Sequence, residues 1–266
     1  ELSTTQLSAF SAVQIGQLTT TAVVALDETQ IGALSVTQVK GLTNTQLAAL
    51  TSTDINEFSS TQLASFSATQ LSAISGLNLG ALTTTQLAGF TTTQIAALSA
   101  TNFSVLNADQ VGALSVTQIR AVTTAQLAAL TETDIGEFTE TQIGALSQAQ
   151  LAAISATNIT ALSSTQLTGL SAAQIGGLSR TSLSALDATQ FSSLNDTQVR
   201  GLTTTQLTAL NTTDLAEITS TQISALTRTQ ISALTATQIS ALDATQISGV
   251  TTTQIGGLNV AQMRGL

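Results

Sequence analysis

An all-α solenoid of eight-residue units is the fold the sequence predicts, and three observations predict it. From Ser3 to Leu266 the 266-residue chain divides into 33 consecutive octads without one insertion or deletion. Every octad carries the residues of a helix start. None is long enough to hold a helix by itself, because an isolated helix in water needs roughly 12–15 residues. Units that repeat in register and cannot bury their own apolar face have to stack on one another.

The consensus S/T-x-T-Q-L/I-x-A-L explains itself slot by slot. Slot one is Ser, Thr, Asp or Asn in every octad. These are the residues whose side-chain oxygen accepts from the unsatisfied N–H groups of a first helical turn. Slot four is Gln in 25 octads, three residues on, where the second member of a capping box reaches back to the cap. Slots five and eight are always apolar. The Leu in slot eight of one octad precedes the next cap, and the Leu or Ile in slot five follows it by four, which are the two positions of a hydrophobic staple. Slot seven is nearly always Ala, Gly or Ser, so that elements can approach closely. The residue ending one helix already staples the next, which leaves no room for a linker. The chain bends every eight residues, and 1–266 reads as a single repeat array.

A β-solenoid is the competing backbone. Slots one to three often read T-x-T, as in Thr83–Thr85 and Thr91–Thr93, and alternation puts both Thr on one strand face. Against it, the apolar spacing alternates three and five, not two, and Ala, Leu and Gln favour helix.

Departures from the consensus recur every 80 residues and define blocks at 27–106, 107–186 and 187–266. TSTDINEF, TETDIGEF and NTTDLAEI are the only octads with Asp in slot four and Glu in slot seven. They supply Asp54 with Glu57, Asp134 with Glu137, and Asp214 with Glu217. Each pair offers two carboxylates on one side of a short helix and is a weak cation candidate, since calcium wants six to eight oxygens and no DxDxDG-like loop accompanies it. The favoured role is a structural ion pair with the basic residue 14 and 17 positions earlier: Lys40, Arg120 and Arg200. A coil of two octads per turn would stack each base near its acids.

Composition bounds the function. The chain has no His, Cys, Pro, Trp or Tyr, which removes the commonest metal ligands, the usual general base and the thiol nucleophile. Gly follows no phosphate-binding pattern, so neither an enzyme nor a cofactor is expected. Six basic against fifteen acidic residues, a formal charge of −9, disfavours nucleic acid and anionic membranes. No apolar run approaches the roughly 18 residues of a membrane span, so no membrane insertion is expected. Asn102, Asn158, Asn195 and Asn211 begin N-x-S/T triplets, which arise easily in a chain this rich in Ser and Thr. The seven Phe residues occupy slots five or eight and read as core.

The octads TTTQIAAL, TATQISAL and TTTQIGGL resemble tandem octapeptide arrays of large bacterial secreted or surface adhesion-type proteins. The resemblance covers the whole chain, transfers no catalytic or binding residue, and implies an extracellular or cell-surface protein with a structural or adhesive role. With no signal peptide and a start at Glu1, the chain reads as a processed form or an excised part. Its first and last octads, STTQLSAF and NVAQMRGL, look like internal units, so the expectation is continuation or head-to-tail self-association into a filament or fibre. An adhesin stalk is the related reading. A repeated Thr/Ser ladder recognising glycan, another surface ligand or ice is the alternative.

Overall fold

The computed structural model describes residues 2–266, and among them every octad holds one short α-helix and none holds a strand. The 33 helices, α1 to α33, run from Thr4–Ser8 to Val260–Met263 and are four to six residues long. The helical expectation stands and the strand alternative falls. The chain forms two compact units, Glu1–Leu130 and Thr131–Leu266, and their boundary lies between octads.

The first link is capping. Each slot-one residue is extended, as at Thr91 with φ −72° and ψ 158°, and its side chain accepts from the slot-four N–H. The reciprocal half of the box forms in every octad except those with Ala22, Asn78, Asn102, Asn158 or Ser182 in slot four. The helix stops where the small slot-seven residue meets the buried slot-eight residue, whose N–H bonds back three residues, as Leu98 to Ile95 at 3.3 Å. Slot-five and slot-eight side chains form the core: Ile95, Phe58 and Ile175 are buried, each 1% exposed or less.

The second link is the coil. In the first unit α2 (Ala12–Gly16) packs on α5 (Val36–Val39), and in the second α22 (Ala172–Gly177) packs on α25 (Asp196–Gly201), three octads apart in each case. The slot-four side chain bonds four octads back. Gln46 Nε2 donates to the Ile15 carbonyl at 2.9 Å and the Leu18 carbonyl at 2.8 Å. Gln238 Nε2 does the same to Leu207 and Leu210, at 2.9 and 2.8 Å. Within each unit a helix therefore straddles the junction between the helices three and four octads before it, as bricks do in running bond. The two-octad coil expected from the charges is incorrect: a turn takes between three and four octads, because a residue's neighbours in the next turn lie 25 to 31 positions away.

Close approach sets slot seven. A Cβ on Gly201, in slot seven, would lie 2.3 Å from the Ala172 carbonyl oxygen, whereas one on Gly112, in slot six of the octad of α14 (Ala108–Ala113), would meet nothing within 4 Å. The same Gly→Ala change should therefore have opposite signs. At Gly112 it should stabilise by up to about 1 kcal/mol, the helix-propensity gain. At Gly201 it should destabilise by about 1–3 kcal/mol through overpacking. Thermal melts of both variants check this; equal shifts would rule out backbone contact as the reason for a small slot seven.

Candidate functional surface

Slot four explains the site chemistry. Gln is long enough for two tasks: Gln94 Oε1 accepts from the Thr91 N–H at 2.8 Å, while Nε2 donates to the carbonyls of Leu63 and Phe66, both at 2.9 Å. A shorter side chain manages one. Asn78 Nδ2 donates to the Leu50 carbonyl at 2.8 Å and makes no box. Asp has only acceptors when ionised and keeps the box: Asp54 Oδ2 accepts from Thr51 N–H at 2.7 Å, Asp134 Oδ2 from Thr131 at 2.8 Å, and Asp214 Oδ2 from Asn211 at 3.3 Å. The three acidic octads have therefore exchanged their bridge to the turn below for a carboxylate.

Glu57, Glu137 and Glu217 follow in slot seven, the close-approach position. One oxygen of each, Oε2, is buried with no hydrogen-bond partner among the described residues. Burial lifts each carboxyl above its ordinary value. Asp54, Asp27 and Glu28 add to this at Glu57, Asp134 at Glu137, and Asp214 with Asp187 at Glu217. In each octad the Asp oxygen is engaged at its own cap. Among the described residues no group of three or more His, Cys, Asp or Glu is arranged to hold a metal ion.

Two of the expected ion pairs, those of Lys40 and Arg200, fare as the coil does. Lys40 sits 14 and 17 residues from Asp54 and Glu57, short of the 25 to 31 that brings residues together between turns. Arg200 Nε donates to the Ala225 carbonyl at 3.0 Å, and the buried Glu217 oxygen stays without a donor. Arg120 belongs to the first unit, and Asp134 and Glu137 to the second.

The remaining expectations sort by exposure. The slot-one residues are also exposed, all but the half-buried Thr123, but their side-chain oxygens are engaged by the slot-four N–H groups at the caps. Slot three does not cap: Thr85, Thr93, Thr205 and Thr221 are exposed, and so is the slot-three residue of every octad. Leu77 replaces Thr there and is 78% exposed, beside Gly76, Gly80 and Val105. Of the N-x-S/T residues, Asn158 is buried and Asn102 donates to the Ile74 carbonyl at 3.3 Å, while Asn195 and Asn211 are exposed caps. Six of the Phe residues are buried; Phe10 is partly exposed. No described helix is long and apolar enough to cross a membrane.

Sequence reasoning missed the bridging half of slot four, although its signal was present. In the first unit slot four departs from Gln at octads 3, 7, 10 and 13, and in the second at octads 17, 20, 23 and 27. Steps of three and four are the coil's own step, so the departures return to one side of the coil each turn. Accordingly α7 (Ser52–Asn56) packs on α10 (Gly76–Ala81), and α10 on α13 (Ala100–Ser104). Ten octads in three turns is also the 80-residue period.

Among known families, the ALTTAQ repeat matches residues 79–116 and 103–140 of the chain, two overlapping tandem stretches. The likeness is one of repeat and spans under a quarter of the 266 residues. No curated protein matches the chain.

Proposed function

We propose that the chain is a non-enzymatic structural repeat protein of the cell exterior, self-associating head to tail into a filament or fibre. The observation that supports this reading most is the bridge made by slot four, because it turns every coil into a template for the next. A coil presents carbonyls and slot-five side chains on one side and Gln amides on the other. Near the C-terminal end Ile255 and Met263 are 40% and 48% exposed, while slot-five residues of inner octads such as Ile175 are 0% exposed. A second copy seated in the same register would cover them with its own first octads, whose Gln6 and Gln14 side chains are exposed. Such a contact is heterologous, and a heterologous contact that does not close propagates into a filament. No cofactor, nucleic acid or inserted membrane segment belongs to this reading.

Sedimentation and negative-stain microscopy across a concentration series test it. The expected result is an average mass that rises with concentration, together with filaments one coil wide. A compact monomer at every concentration would end the fibre reading in favour of a stalk carried within a longer adhesin.

A second reading rests on the exposed slot-three Thr residues, which repeat with the coil and suit a repeating ligand such as a glycan or ice. Glycan-array binding or thermal hysteresis, lost when slot-three Thr residues of one unit become Lys, is the result that would favour it.

A further inference from the structure

The acidic octads combine three features that each loosen the contact between turns. Asp in place of Gln removes the Nε2 donor. In a Gln octad that donor would reach back 28 and 31 residues, as Gln94 reaches Phe66 and Leu63. Glu in place of a small residue fills the slot where backbones approach most closely, as Gly201 approaches Ala172. The Glu oxygen is buried without a partner.

What faces the carboxylates adds repulsion. Glu57 of the α7 octad meets Asp54 of its own octad and Asp27 and Glu28 of the α4 octad (helix Glu28–Gly32). The octad of α10, packed on its other side, carries no charged residue, and neither do the octads before and after it. Glu217 meets Asp214 of its own octad and Asp187, the cap of α24 (Ala188–Ser192). Arg180 and Asp243 lie on the octads four back and four on, and the octads next to it and three on are uncharged.

We propose that the octads 51–58 and 211–218 are acid-closing seams, joints where successive turns part first at neutral pH and are drawn together on acidification. This does not depend on the filament reading. Protonation removes one negative charge from each cluster and turns the stranded Glu oxygen into a donor. The direction follows from linkage. A carboxyl that holds its proton more tightly in the folded chain contributes no penalty below the ordinary carboxyl range. The penalty grows as pH rises into the range between its unfolded and folded values, and is complete above it. Acid therefore tightens these joints, while octads held by neutral Gln bridges and hydroxyl caps, such as 91–98, carry no carboxylate to respond.

Hydrogen–deuterium exchange, corrected to intrinsic rates, reads the opening of single octads. At pH 7 amides of 51–58 should exchange about tenfold faster than those of the Gln-bridged octad 91–98, a factor that should shrink markedly near pH 4. The pair 211–218 and 235–242 should behave likewise. Glu57→Gln should slow exchange in 51–58 at pH 7 and remove its pH dependence. Glu57→Ala, which restores the commonest slot-seven residue, should do the same by relieving burial. Equal protection of 51–58 and 91–98 in the wild-type chain at pH 7 would overturn the proposal. So would a pH dependence that persists in both variants, or the failure of both to fold.

Discussion

Gln94→Glu should destabilise the first unit by about 3 kcal/mol or more at neutral pH, among the largest effects of any isosteric change in the chain. The substitution preserves shape and the Oε1 acceptor that the Thr91 N–H uses at 2.8 Å. What changes is Nε2, which donates to Leu63 and Phe66. The site is 3% exposed, so a carboxylate there faces two carbonyl oxygens without water. Gln94→Ala removes both the box and the bridge but leaves no charge, and should cost about 2 kcal/mol. The order is the informative part. If slot four served capping alone, Glu would be nearly neutral and Ala the worse variant. Urea melts at pH 7 and pH 4 separate the cases, because a protonated Glu can again donate and its deficit should shrink in acid.

Phe58→Ala should cost about 3–5 kcal/mol, the range for truncating a buried aromatic. Phe58 is 1% exposed and meets Phe66 edge-on, ring centres 5.6 Å apart, so both the cavity and the lost aromatic contact count. Phe10 fills the same slot in the first octad but is only half-buried, and Phe10→Ala should cost well under half as much. Denaturant unfolding of the two variants gives the comparison. Similar losses would mean that burial between turns is not what stabilises slot eight.

These two residues also mark how far the sequence could be read. The helix starts, the slot-one caps and the apolar slots were all legible, because they are local chemistry repeated in every octad. Thr91 and Gln94 announce a capping box without reference to anything beyond eight residues. The turn of the coil was not legible in the same way, since it depends on which distant carbonyls an amide can reach. The charges suggested two octads per turn: Lys40 and Glu57 are two octads apart, and attraction seemed the natural cause. The slot-four departures, charged and uncharged together, held the better signal. Ala22, Asp54, Asn78 and Asn102 fall at octads 3, 7, 10 and 13, spaced as the coil is wound. Slot four also shows why Asn and Asp are not equivalent here, since Asn78 keeps the bridge and Asp54 keeps the cap. The acidic octads were read from their charge as weak cation candidates or ion pairs; that one oxygen of each Glu is buried without a partner could be seen only in the fold.

The central claim is that each octad is tied to the turn three to four octads before it, and a cross-link tests that most directly. The chain contains no cysteine, so an engineered pair has no competitor. Ser60 and Gly89 are 29 residues apart, and a Cβ on Gly89 would lie 2.8 Å from that of Ser60, closer than the roughly 3.5–4.5 Å of a disulfide, so the two turns must part by about 1 Å to accept the bond. Ser60→Cys with Gly89→Cys should oxidise readily to an intramolecular disulfide, seen as a mass loss of about two hydrogens, with helicity retained. Ser60→Cys with Gly76→Cys, a pair two octads apart, should not. Ready closure of the second pair and failure of the first would contradict the coil described here.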